Sequence, residues 1–193
     1  MPGCGPGRDG FGAWALNLKS TIETVWLTLR AYSDSDIPEL VSLIGSPQVA
    51  ATTLRIPHPY TEAHAREFLA SESNDLRLAI VLKDNGHLCG GIGLHSNEQN
   101  SHAELCYWIG VPYWDKGYAT EAAQAVLRYG FENMQLQRIF AMHFKENVAS
   151  GNVLRKIGMK HEGCMRQHIL KWGKFIDIEL FGILRQELPP EVK

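Results

Sequence analysis

Long apolar runs, an excess of basic residues and metal-ligand spacings are all missing from this 193-residue chain, and each absence removes a class of function. No stretch approaches the roughly 18 apolar residues needed to cross a bilayer as a helix, so no membrane partner is expected. Lys and Arg number 19 against 21 Asp and Glu, a formal charge of -2. That balance leaves no global basic field, and nucleic acid is not expected as a partner. The cysteines, Cys4, Cys89, Cys106 and Cys164, form neither a C-x-x-C pair nor a ligand spacing, and read as free thiols of a reducing, cytoplasmic compartment. No H-E-x-x-H is present, so no metal is expected. No G-x-x-x-x-G-K-[ST] loop is present either, which removes the phosphate-loop nucleotide enzymes.

What is there suffices for one domain with a substantial core. Residues 1–24 begin rich in glycine and proline with little apolar surface, and are expected to form a flexible arm or an appended remnant ahead of a domain over residues 25–193. From Thr24 onward strand and helix patterns alternate. Trp26 to Arg30 reads as a half-buried strand, and Ser33-Asp34-Ser35-Asp36 supplies capping chemistry for a helix carrying Ile37, Leu40, Val41 and Ile44, stopped at Gly45. A second helix is expected from Thr61 to about Ser71. Leu78 to Lys83 and Leu88 to Leu94 flank Asp84-Asn85-Gly86 as a hairpin, and His102 to Ile109 pairs with it. Tyr118 to about Glu132 reads as a helix that turns the small residues Ala119, Ala122 and Ala123 toward the sheet. A strand over Arg138 to Phe144, a helix over Asn147 to Ile157 ended by Gly158, and strands over Met159 to Leu170 and Phe175 to Leu184 complete a mixed α/β chain.

The run Trp114-Asp115-Lys116-Gly117-Tyr118-Ala119-Thr120-Glu121-Ala122 joins the strand ending at Ile109 to the Tyr118 helix. The first N–H groups of a helix lack intrahelical partners and carry the positive end of its dipole, so a strand, a glycine turn and a helix start together make an anion site. A phosphorylated ligand is therefore expected over Gly117. This turn, the order of elements and the downstream Asn147-x-x-Ser150-x-x-Val153-Leu154-x-x-x-Gly158-Met159 resemble the GNAT superfamily of acyl-CoA-dependent N-acetyltransferases over residues 26–187. Within it the chain most resembles the branch of ribosomal-protein N-terminal alanine and serine acetyltransferases. Three positions depart from that pattern. Trp114 stands where Gln or Arg is usual, Asp115 where the branch often has Gly, and Leu154 where a tyrosine often serves as general acid.

The resemblance implies an α+β fold with a central splayed, mostly antiparallel sheet flanked by helices, and acetyl-CoA as cosubstrate. On that mapping the pyrophosphate rests on the backbone of Asp115, Lys116, Gly117, Tyr118, Ala119 and Thr120. The pantetheine pairs with the strand edge running to Ile109 and Val111, Asn147 and Asn152 add contacts, and Lys156, with Arg155, meets the outer phosphate. Transfer is expected to proceed by direct attack of a primary amine in a ternary complex. Ser150 is the candidate proton donor to the leaving thiolate, with a helix-cap role as its competitor, and Asn147 stands beside it. Glu104 is the candidate base ahead of His102, with a plain strand-face charge as the alternative. Tyr107 and Trp108 are candidates to line the acceptor slot. The acceptor is expected to be an amine, a peptide or protein N-terminus in first place. Polyamine or drug acetylation, and a non-catalytic acyl-CoA-binding module, are the competing readings, and a monomer or homodimer fits each.

Overall fold

Leu27, Leu29, Leu78 and Ile80 belong to one buried cluster while Ala79 and Val81 belong to a second on the opposite side, so the sheet they form buries both faces. The computed structural model describes residues 21–188. Of the expected N-terminal arm, residues 1–20 lie outside that range. Its last residues are held: Ile22–Glu23 (β1) pairs with Leu29 and Thr28, and the Glu121 carboxylate accepts from the Thr24 hydroxyl at 2.6 Å and the Trp26 N–H at 2.7 Å.

After Leu27–Arg30 (β2) a single 3₁₀ turn over Asp34–Asp36 leads into Ile37–Ile44 (α1). Gly45 follows because a Cβ there would stand 2.7 Å from the Val41 carbonyl oxygen. A further helix, Pro47–Thr52 (α2), is absent from the sequence reading, although proline at its first turn is a start signal. Glu62–Ala70 (α3) follows, capped by Thr61. Leu76–Leu82 (β3) and Leu88–Asn97 (β4) make the expected hairpin, with β4 reaching three residues past Leu94. The remaining elements are His102–Ile109 (β5), Tyr118–Glu132 (α4), Arg138–Phe144 (β6), Val148–Lys156 (α5), Lys160–Lys171 (β7) and Lys174–Leu184 (β8). The last two strands turn through Trp172 at φ 49 and Gly173 at φ 78, the paired positive values of a tight hairpin.

The strands form one sheet of order β1-β2-β3-β4-β5-β6-β8-β7. Helices α4 and α5 cover the face of Leu105, Ile139 and Phe181, and α1 and α3 cover that of Ala79 and Val81. Gly130 lets α4 lie close, since a Cβ would meet Ile139 at 2.8 Å and Leu94 at 3.0 Å. One irregularity organises the molecule. β5 and β6 run parallel and pair only at His102↔Arg138, Ala103↔Ile139 and Glu104↔Phe140. Beyond that point β5 stays with β4 as far as Gly90↔Ile109, and β6 stays with β8 as far as Phe144↔Ile178. The sheet therefore splits between Glu104 and Phe140.

Candidate active site

A strand edge that loses its neighbour presents unpaired backbone donors and acceptors. The split between β5 and β6 makes two such edges, and a cleft of about 1180 Å³ runs along it, bordered by Leu105, Tyr107, Ala141, Asn147, Ser150 and the first turn of α4. Gly117 caps α4 at φ 84, no side chain caps that end, and the first intrahelical bond goes from the Glu121 N–H to the Gly117 carbonyl at 3.1 Å. The N–H groups of Tyr118, Ala119 and Thr120 thus precede the helix's own bonding, at its positive end. A Cβ on Gly117 would meet no atom within 4 Å. Glycine is required there by the backbone angle and not by crowding from the protein.

Asp115 also takes a left-handed conformation, φ 60. Asp and Asn tolerate that region better than other side chains, which explains an acidic residue where glycine is usual. Trp114 turns back over the end of β5, and its indole N–H donates to the Ile109 carbonyl at 2.7 Å. That carbonyl is expected to serve the pantetheine, and here it already has a donor. Val111 and Lys116 do not line the cleft. Val111 lies in a 3₁₀ turn, and the Lys116 ammonium sits over the Tyr113 ring at 5.6 Å. Asn152 and Lys156 do line it, but Arg155 does not, because its guanidinium packs over the Phe181 ring at 5.3 Å beside a separate cavity.

On the α5 side of the split the helix-cap question has a definite answer. Asn147 is the N-cap, its Oδ1 accepting from the Ser150 N–H at 3.2 Å, so the Ser150 hydroxyl is not the cap. That hydroxyl lies 2.7 Å from the Tyr107 hydroxyl. Burial pushes the Tyr107 phenol up to about 12, with the Ser150 bond pulling the other way, so the group stays protonated. Leu154, at the position of the missing tyrosine, is fully buried in the core. A tyrosine hydroxyl reaches this end of the cleft from β5 instead.

The other side of the split is more polar. Glu104 is mostly buried and its carboxylate meets Arg55, from the loop after α2, at 2.7 Å. The Cys106 thiol is pushed up to about 12, by burial first and then by the Glu104 charge. One strand over, His95 is the register partner of Glu104, and its Nδ1 lies 2.8 Å from Asp75 Oδ2. Gly91 and Gly93 leave the β4 floor bare. A Cβ on Gly91 would stand 2.0 Å from the Tyr32 hydroxyl and 2.5 Å from the Trp108 indole nitrogen. Trp108 thus packs into the α1 and α3 layer, and Tyr107 turns the other way. His102, the alternative base, sits at the closed end of the split against Phe140, outside the cleft lining.

Arg55, His95 and Asp75 are absent from the sequence reading. Ending β4 at Leu94 left His95 outside the strand, so its register opposite Glu104 did not emerge. Among the described residues no group of three or more His, Cys, Asp or Glu is placed to hold a metal ion, and no helix is long and apolar enough to cross a membrane.

A family profile described as "Acetyltransferase (GNAT) domain" matches residues 27–160. The N-acetyltransferase p20 of Bacillus licheniformis, itself uncharacterized, is 30% identical over 175 residues, covering 86% of this chain and 97% of p20. The [ribosomal protein uS5]-alanine N-acetyltransferase of Escherichia coli is 28% identical over 103 residues, covering 52% of this chain and 53% of that enzyme. A crystal structure of a GNAT-family acetyltransferase from Bacillus anthracis superposes with a TM-score of 0.80 at 29% identity, covering 87% of this chain and all of that one.

Proposed function

The chain belongs to the GNAT acetyltransferase family, and from that premise we propose that it acetylates the α-amine of a peptide or protein N-terminus. As a family member it is an acetyl-CoA-dependent N-acetyltransferase. The residues present suit that cosubstrate. The uncapped α4 turn over Gly117 offers N–H donors and open space to a pyrophosphate, and the free edges of β5 and β6 suit the amides of an extended pantetheine.

The pantetheine would lie along the split with its thioester toward Tyr107 and Ser150. There an N–H of the free β5 edge polarises the thioester carbonyl. The acceptor amine enters over Glu104 and attacks the carbonyl carbon, the C–N bond forms, and the C–S bond breaks. The departing thiolate takes its proton from the Tyr107 and Ser150 hydroxyl pair, which recovers one from the new N–H. Asn147 holds the α5 start and so sets where Ser150 stands.

The choice of an N-terminal amine over a polyamine is carried by one observation. Of the carboxylates on the acceptor side, Glu104 on the sheet floor is engaged by Arg55, Asp75 on the loop before β3 is engaged by His95, and Glu67, which also lines the cleft, is exposed on α3. A polycation gains most from free, desolvated carboxylates, and this floor offers it none. Similarity to a ribosomal-protein alanine N-acetyltransferase points the same way. The test is a competition between a short peptide with a free N-terminal alanine and spermidine at equal concentration, read by mass spectrometry with thiol release in parallel. Preferential α-amine acetylation is expected. Faster acetylation of spermidine would overturn the peptide reading, and acetyl-CoA binding without thiol release from either acceptor would favour the non-catalytic module.

A further inference from the structure

Before an ammonium can attack a thioester it must lose a proton, and the geometry of the acceptor side points to where that proton goes. Glu104 accepts from the Arg55 guanidinium at 2.7 Å, so its carboxylate is already engaged by a cation. His95 lies directly opposite it in the β4–β5 ladder and lines the same cleft. Directly paired residues on one sheet face have Cβ atoms about 4.5–5.5 Å apart. Asp75 grips the imidazole at Nδ1, 2.8 Å away, and is itself fixed by the Ser96 N–H at 3.1 Å and the Ser73 hydroxyl at 2.9 Å. A carboxylate only accepts, so Nδ1 carries the hydrogen and Nε2 of the neutral ring is left as the base.

We propose that His95, oriented by Asp75, accepts the proton of the incoming ammonium. The inference rests on the acetyltransfer reading above. β4 lies about 4.8 Å from β5, the strand bordering the split, so one water spans the gap to the reacting nitrogen. The ammonium N–H bond breaks, its proton passes to Nε2, and the freed amine lone pair attacks the thioester. The imidazolium is then stabilised by the carboxylate of Asp75 on the loop before β3, while Glu104, opposite it on β5, is neutralised by the Arg55 cation and Arg77 is held by Ser71. His95 is about two-fifths exposed, 41%, so it returns the proton to solvent and completes the balance of ammonium plus acetyl-CoA giving amide, CoA thiol and one proton. Burial pushes against the Asp75 charge, but His95, Ser73 and the Ser96 N–H outweigh it and hold that carboxyl below its ordinary value. Asp75 is therefore a positioning residue that stays anionic through the working range.

The experiment compares the full-length parent, His95→Gln, His95→Ala and Asp75→Asn by thiol release with an N-terminal-alanine peptide, an N-terminal-serine peptide and spermidine. Acetyl-CoA binding is measured in parallel by calorimetry. His95→Gln should lower kcat/KM for the fastest of these acceptors on the order of 100-fold at neutral pH, with acetyl-CoA affinity unchanged. Added imidazole should restore part of the activity of His95→Ala, a result no purely structural role produces. Asp75→Asn should lower kcat with KM for acetyl-CoA held and move the acidic limb of kcat/KM against pH. A His95→Gln protein that keeps the parent's rate and pH profile would overturn the dyad while leaving acetyl transfer intact. A parent that releases no thiol with any of the three acceptors would overturn the acetyltransfer reading, and the dyad with it.

Discussion

The hydroxyls of Tyr107 and Ser150 lie 2.7 Å apart across the split in the sheet, one carried by β5 and the other by α5. Forty-three positions of chain separate them, and what joins them is the divergence of β5 from β6 beyond Glu104↔Phe140. Because Asn147 takes the cap, Ser150 is free for this contact, and because Leu154 fills the core, no tyrosine comes from the helix itself. Together the pair closes the end of the cleft at which we place the leaving thiolate.

Removing either hydroxyl should therefore cost turnover more than binding. Tyr107→Phe and Ser150→Ala are each expected to lower kcat by about 10- to 100-fold, with KM for acetyl-CoA within about twofold of the parent. Since the two act as one relay, the double variant should fall little below the worse single one. Steady-state kinetics on the three proteins decides this. Two single variants with parental kcat would remove the pair from the mechanism.

Gly117→Val probes the other end of the cleft. A Cβ at Gly117 meets no protein atom, so the substitution acts through the φ of 84, where a side chain costs about 1–2 kcal/mol and a β-branched one more. The strain is relieved by opening the turn that aims the Tyr118 to Thr120 N–H groups. Calorimetry should show acetyl-CoA affinity down by about tenfold or more. Undiminished affinity in a folded variant would assign the pyrophosphate to another part of the molecule.

Much of this was legible in the chain because the signals were local. The Asp84-Asn85-Gly86 turn, the Gly117 helix start and the Gly158 stop each depend on backbone geometry that a few neighbouring residues dictate. Asn147 and Ser150 could be placed on α5 for the same reason. What escaped was set by strand register and by where loops travel. His95 faces Glu104 only because β4 runs to Asn97 before turning, and Arg55 reaches Glu104 across 49 positions from a loop with no periodicity to read. The opposite facing of Tyr107 and Trp108 is a period-two consequence of β5, yet which face met α5 needed the whole sheet. Arg155, expected at a phosphate, instead packs over Phe181, because its turn of α5 faces β8.

Acid should unfold the protein in part through Asp36. Its nearly buried carboxylate meets Arg30 at 2.7 Å and accepts from the Ser33 N–H at 2.8 Å. Burial pushes its pKa up, but these partners outweigh that and leave it below the ordinary value. A depressed carboxyl contributes stability that is fully present above the unfolded value of about 3.9 and is lost as pH falls through the folded value. Asp36→Asn is expected to cost about 1–3 kcal/mol at pH 7 and to flatten the fall of Tm below pH 4. Thermal melts of both proteins across that range test it, and an equally steep acid limb in Asp36→Asn would assign the acid sensitivity to other carboxylates.

The acidic residue beside the Gly117 turn offers the most discriminating test of the proposed phosphate site, because two independent effects predict the same sign. Asp115 sits at φ 60, a conformation that glycine adopts without steric cost, and it lines the cleft one turn from the start of α4. A carboxylate and a diphosphate that approach each other across water repel by about 0.5–1 kcal/mol. Asp115→Gly removes that charge and relaxes the turn, at the expense of greater freedom in the unfolded chain, so Tm should move little. Affinity for acetyl-CoA should rise by about two- to fivefold at low salt, and the gain should shrink as salt screens the charge. Asp115→Asn separates the terms, retaining the left-handed preference while losing the charge, and should recover most of the gain. Equal affinities for all three proteins at low salt would mean that the phosphates lie away from the Gly117 turn.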